Sequence, residues 1–135
     1  EILRDIKHPH IIQAYDFFAF SQGAVMVMEL FDGRSMDAVV GAAPQRHLLE
    51  DDSRRLFGQL VAAVEHLHSK GFVHRDVKAA NILVAADLSE LRLVDFNTAA
   101  NILDGGLLTL TGTADYLPPE VLRGEPHTPG SDVWA

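Results

Sequence analysis

Between Asp51 and Ser69 the apolar residues Leu56, Leu60, Val61, Val64 and Leu67 recur at the helical period, the strongest such pattern in the chain. Asp51 and Asp52 stand near the positive end of the helix dipole and Lys70-Gly71 supplies a stop, so the spacing predicts a helix over 51–69. Elsewhere the apolar runs are short and of strand type. Ile11 to Phe20 and Ala24 to Leu30, rich in aromatic and branched residues, flank the turn-prone Ser21-Gln22-Gly23 and predict an antiparallel strand pair. Phe72-Val73, Ile82 to Val84 and Leu91 to Val94 read as further strands, with Asp87 to Glu90 as a polar turn between the last two. Glu1 to Lys7 places Ile2, Leu3 and Ile6 at helical spacing and stops before His8-Pro9, as the end of a helix would. Ser35 stands where it can cap a short helix through Val40, which Pro44 closes off.

Periodicity is lost after Asp95 and returns only at Pro118, and Asn101 to Gly106 reads as a mobile loop. A loop of that length inside a compact domain is functional or disordered. No repeat, low-complexity tract or linker interrupts this order.

The length of 135 residues supports one modest domain, and Lys+Arg 11 against Asp+Glu 19 gives a formal net charge of -8. That balance argues against nucleic acid or an anionic membrane as partner and leaves room for basic peptides. With no cysteine, neither a disulfide framework nor a thiolate metal site is available. The histidines at 8, 10, 47, 66, 68, 74 and 127 are read as structural or surface residues, because His66 and His68, two apart on a helix, diverge. No helical i,i+4 histidine pair encloses an acid. No apolar run approaches the roughly 20 residues of a membrane span, and no secretory start is present, so an intracellular, cytoplasmic protein is expected.

The chemistry concentrates in His74-Arg75-Asp76-Val77-Lys78-Ala79-Ala80-Asn81 and in Asp95. Residues two apart in extended backbone project to one side, so Asp76 and Lys78 can face one site. A carboxylate there orients an attacking hydroxyl and accepts its proton, while an ammonium offsets charge on phosphoryl oxygens. Asn81 and Asp95 add hard oxygen donors suited to Mg2+ held against phosphates. A lone loop aspartate would be an ordinary turn residue or cap. What raises these residues above that is their order: a hydrophobic helix, His-Arg-Asp, Lys78, Asn81, the run Ile82-Leu83-Val84, Asp95-Phe96, then Pro118-Pro119-Glu120.

Residues 74–81 match H-R-D-x-K-x-x-N and Asp95-Phe96-Asn97 matches D-F-G with Asn97 in the place of glycine, so the chain resembles eukaryotic serine/threonine protein kinases over essentially its whole length. The resemblance implies an α+β, protein-kinase-like fold, with residues 1–31 from the small lobe (helix end, two strands and hinge) and 32–135 from the first part of the large lobe. It implies Asp76 as catalytic base, Lys78 as phosphate-contacting cation, Asn81 and Asp95 as Mg2+ ligands, and ATP held also through backbone groups of Glu29 and Phe31. His74 would be a support packed near Phe96. Arg75 would pair with a phosphate on the activation segment, which runs from Asp95 to Glu120, with Thr109 as the activating site and Thr111 as runner-up. Thr113 would face the substrate beside Asp76 and Lys78, and Ser131 to Trp134 would begin a large buried helix. The partners implied are a protein substrate with a Ser/Thr acceptor and an upstream activating kinase.

Asn97 tolerates left-handed backbone better than other non-glycine residues, so the loop is expected to turn and activity to be kept. Ser35 and Ala80 stand where kinases preferring arginine before the target often carry acids, which disfavours that specificity. No G-x-G-x-x-G loop or V-A-I-K lysine is present, and Glu1 is two residues too close to Pro9 to be that lysine's partner. A fragment is therefore expected, inactive and poorly packed on its own. The alternatives are a pseudokinase-like scaffold and, further off, a metal-dependent hydrolase built on Asp76 and Asp95.

Overall fold

The tripeptide Ser21-Gln22-Gly23 does reverse the chain: β1 (Ala14–Phe20) pairs antiparallel with β2 (Gly23–Met28), Phe17 opposite Met26 and Phe18 opposite Val25. This computed structural model describes residues 6–104 and 110–135. The helix end expected over Glu1 to Lys7 thus lies outside the described residues save for Ile6 and Lys7, which are in irregular backbone. Both faces of the hairpin are largely open, with Phe17 52% and Phe18 46% exposed.

A second sheet carries the site. Its strands β3 (Gly33–Ser35), β5 (Ile82–Ala85) and β6 (Leu91–Leu93) lie in the order β3-β5-β6, all antiparallel, with Arg34 opposite Val84 and Ile82 opposite Leu93. The alternation of Ile82 and Val84, and of Leu91 and Leu93, buries one face of β5 and β6. Ile11 bridges to Leu93, and the amides of Ile12 and Leu93 bond the carbonyls of Leu93 and His10, which sews the segment before β1 to this sheet.

Ser35 precedes helix α1 (Met36–Ala42) at the cap position but makes no side-chain cap bond, contrary to expectation. Its backbone closes β3 opposite Leu83. The long helix α2 (Glu50–Ser69) buries Leu56, Ala63 and Leu67, with Leu60 and Val64 packed beside them on a core that includes Ile11, Ile82, Val84, Leu91, Leu93 and Phe96. Val61 does not join that stripe and is 48% exposed. One residue past Leu60, it is turned about 100° away from the buried face. No helix among the described residues is long and apolar enough to cross a membrane.

Gly71, at φ +81, ends α2 and starts β4 (Phe72–Val73), which pairs with β7 (Ala100–Asn101). The stretch after Asp95 is therefore less irregular than its sequence predicts. It holds β7 and short 3-10 turns at Ile102–Asp104 and Ala114–Tyr116; Gly105 and Gly106 of the expected loop lie outside the described residues. Two helices follow, α3 (Pro119–Leu122) and α4 (Pro129–Trp134).

Helix α4 begins with a capping box in which Gly130 N–H donates to Thr128 Oγ1 and Thr128 N–H donates to Ser131 Oγ. That cap fixes the buried Asp132, whose Oδ2 accepts from His74 N–H and His68 Nε2 and whose Oδ1 accepts from Arg75 N–H, each at 2.8 Å. One carboxylate thereby joins α4, α2 and the loop after β4. Removing it leaves the buried His74 amide and the part-buried Arg75 amide without an acceptor. Asp132→Ala should cost about 3 kcal/mol in urea unfolding, whereas Arg54→Ala, which breaks a pair exposed on both sides, should change stability by less than about 0.5 kcal/mol. Equal effects of the two substitutions would contradict this account.

Candidate active site

The loop between β4 and β5 is held from below by Asp132 and from above by the ring of His74. Arg75 sits at φ 68, a left-handed conformation that costs a non-glycine residue energy. The bond from its amide to Asp132 offsets that cost. His74 Nε2–H donates to the Val94 carbonyl at 3.1 Å, and its Nδ1 accepts from Asp76 N–H at 3.3 Å. These partners select the neutral Nε2–H tautomer. The ring meets Phe96 edge-on at 4.7 Å, the packing that the resemblance implied. Burial pushes the His74 imidazole below its ordinary 6.5, against the opposing pull of Asp132 and the Val94 carbonyl.

Asp76 is the hub. Oδ1 accepts from Thr113 N–H at 3.0 Å and from the Thr113 hydroxyl at 2.7 Å. Oδ2 accepts from Lys78 Nζ at 2.7 Å and from Asn81 Nδ2 at 2.9 Å. Lys78 Nζ also reaches Thr113 Oγ1 at 2.6 Å. Burial acts to raise the Asp76 carboxyl, but the hydrogen bonds from Lys78, Thr113 and Asn81, with the Lys78 charge, outweigh it and hold the group below its usual value. The structure thus brings together Asp76, Lys78, Asn81 and Thr113. It does so through a close approach: Gly112 is at φ +111, and a Cβ there would lie 2.5 Å from the Arg75 carbonyl oxygen, so only glycine lets Thr113 reach the hub.

Asn81 Nδ2 also donates to the Asp76 carbonyl at 2.8 Å, which commits its nitrogen and turns Oδ1 to the other side. Its own carbonyl accepts from Val94 N–H at 2.9 Å, so Asp95 follows directly on Asn81's partner across the β5–β6 ladder. Asp95, not Asn97, takes the left-handed backbone, at φ 61. Asn97 Nδ2 donates to Asp95 Oδ1 at 2.7 Å. This corrects the expectation that Asn97 stands in for glycine by tolerating a left-handed turn: its contribution is a donor. Asn81 Oδ1 and the exposed Asp95 carboxylate are both hard oxygen donors. The pair suits Mg2+, which keeps few protein ligands and takes the rest from water and phosphate. Among the described residues no group of three or more His, Cys, Asp or Glu side chains is placed to hold a metal unaided.

Glu29 and Phe31 lie in the segment that follows β2, where Glu29 N–H donates to the Gln13 carbonyl at 2.8 Å. Arg75 Nε donates to the Thr98 carbonyl at 2.5 Å, and Thr98 Oγ1 to the His74 carbonyl at 2.9 Å. Thr111 is half-buried, two residues before Thr113. Thr109 lies outside the described residues. Sequence reasoning did not find the part played by the Asp132 carboxylate, nor Arg92, which ion-pairs with Glu29. The first had a signal, an acid just inside a capped helix; the second, one arginine in a strand, had none.

The chain belongs to the protein kinase domain family, whose model matches residues 1–135. It is 36% identical over 98% of its length to the SNF1-like protein kinase ssp2 of Schizosaccharomyces pombe, covering 23% of that protein. It is 38% identical over 98% of its length to CBL-interacting protein kinase 4 of Oryza sativa and to the carbon catabolite-derepressing protein kinase of Candida albicans, covering 30% and 21% of them. The chain thus spans about a quarter of the length of these curated relatives. Its α+β fold is that of the family, which in general uses ATP and Mg2+ and acts on proteins.

Burial holds His127 and His8, like His74, below the ordinary 6.5. As pH falls through that value the unfolded chain takes up protons that the folded chain refuses, so stability is lost on acidification. The Tm should therefore fall steadily from pH 7 to pH 5 in calorimetry. A Tm that rose over this window would contradict the lowered proton affinity of these rings.

Proposed function

We propose that this chain supplies the catalytic loop of a serine/threonine protein kinase that transfers the γ-phosphoryl group of ATP to a protein hydroxyl. The observation that carries the reading is the hub at Asp76, where a carboxylate, an ammonium and a threonine hydroxyl converge within 2.6–2.7 Å of one another. The incoming hydroxyl takes a place on Asp76, which aims its oxygen at the γ-phosphorus. The new O–P bond forms as the bond to the β–γ bridging oxygen breaks, and the hydroxyl proton passes to Asp76. Four donors hold Asp76 in its ionised form, so its main contribution is orientation, with the proton moving late, as a loose phosphoryl transition state allows. Lys78 sits beside that hydroxyl and offsets charge on the transferred oxygens. Asn81 and Asp95 would hold Mg2+, which when bound neutralises phosphate charge. Backbone groups of Glu29 and Phe31 would receive the adenine ring.

Thr113 faces the substrate and favours Ser/Thr acceptors. Arg75 is the partner of a phosphate placed on Thr109, or on Thr111 as runner-up, by an upstream kinase. On this reading residues 1–31 contribute to the small lobe, 32–135 to the large one, and the protein works inside the cell, in the cytoplasm.

In the full-length gene product Asp76→Asn should lower kcat by about a thousandfold and leave ATP affinity within a few-fold, since the lost group acts on the hydroxyl. Asp95→Asn should instead weaken Mg2+-dependent nucleotide binding. Phosphate transfer to a protein substrate, followed beside nucleotide titration, checks both. Wild-type turnover by Asp76→Asn would sink the mechanism.

A further inference from the structure

Arg92, in the middle strand position of β6, is the side chain through which the catalytic sheet grips the segment that follows β2. Its Nε donates to Glu29 Oε1 at 3.0 Å, with the two side chains only 14% and 22% exposed. The other Glu29 oxygen, Oε2, accepts from Gln13 N–H at 3.2 Å, so the carboxylate is held from both sides. The guanidinium carbon lies 4.8 Å from the centre of the Phe31 ring, within the range of a cation–π contact. A second neighbour confines the ring. Gly33 lies against it, and a Cβ there would sit 2.5 Å from the ring and 2.6 Å from the Val84 carbonyl oxygen. The second bond of Arg92, to Glu90 at 3.0 Å, is to a half-exposed partner and adds little.

We infer that Arg92 is a positioning residue for nucleotide: through Glu29 and Phe31 it fixes the backbone of Glu29 to Phe31 against the sheet that carries Asn81 and Asp95. The inference rests on the proposed function, in which that backbone receives adenine. The same strand β6 leads through Val94 to Asp95, so one arginine sets the adenine end and the metal end of the site on a common frame. A planar fork serves both contacts at once. Lysine at position 92 would keep the ion pair with Glu29 and lose the flat contact with Phe31.

The test uses the full-length gene product and Mg2+ with a non-hydrolysable ATP analogue. Arg92→Met should weaken analogue binding and raise the KM for ATP about tenfold, leaving kcat within about twofold, because the interaction is the same in ground and transition states. Arg92→Lys should fall between, at about threefold. In a Glu29→Gln background Arg92→Met should cost far less, since the pair acts as a unit. Analogue binding within twofold of wild type in Arg92→Met would overturn the inference. So would a fall in kcat with KM unchanged in a variant that melts like wild type, which marks a role other than nucleotide positioning. If the wild-type protein itself failed to bind the Mg2+-analogue complex, the proposed function would fall first and this inference with it.

Discussion

Three hydrogen bonds to one buried carboxylate decide where the loop that carries His74 to Asn81 lies. Asp132 accepts from the amides of His74 and Arg75 and from the His68 ring, and these bonds hold Arg75 in the left-handed region that a non-glycine residue otherwise avoids. Bent there, the chain sends the His74 ring up to Val94 and Phe96 and the Asp76 carboxylate to the opposite side, toward Thr113. The capping box that seats Asp132 is thus a distant part of the frame that places Asp76. Helix α2 supplies His68 from the last turn before Gly71, and so the longest element of the fold is keyed to the same point.

The hub built on that frame is nearly saturated, with each oxygen of Asp76 taking two donors. Such a carboxylate is a weak base and a strict template. Its environment suits a reaction whose catalysis comes from placing a hydroxyl and compensating charge rather than from early proton removal. Gly112 is what lets a distant segment take part, because any side chain there would meet the Arg75 carbonyl.

Much of this was legible in the sequence. Helix 50–69 and the strands at 82–85 and 91–93 follow from periodicity because each buries one face, and Asp76, Lys78, Asn81 and Thr113 do converge as their motif implied. What escaped depends on partners far away in the chain. Strand β3 has no pattern of its own and exists because Gly33 lets it pack against Val84 and Phe31. Ser35 sits at a cap position, yet its side chain leaves the helix amides alone while its backbone belongs to that strand. Asn97 was read for its backbone tolerance, whereas the left-handed residue is Asp95 and the amide of Asn97 serves as its donor. Arg92 carried no local signal at all; only the fold places it between Glu29 and Phe31.

The central claim is that Asp76, Lys78, Asn81 and Asp95 surround the phosphate end of a nucleotide. A crystal structure of the full-length gene product with Mg2+ and a non-hydrolysable ATP analogue tests it most directly. The account predicts a metal between Asn81 Oδ1 and the Asp95 carboxylate, the terminal phosphate within hydrogen-bond reach of Lys78, and adenine against the backbone of Glu29 to Phe31. A nucleotide seated elsewhere, or one whose phosphates lie away from Lys78 with no metal on Asp95, would contradict it.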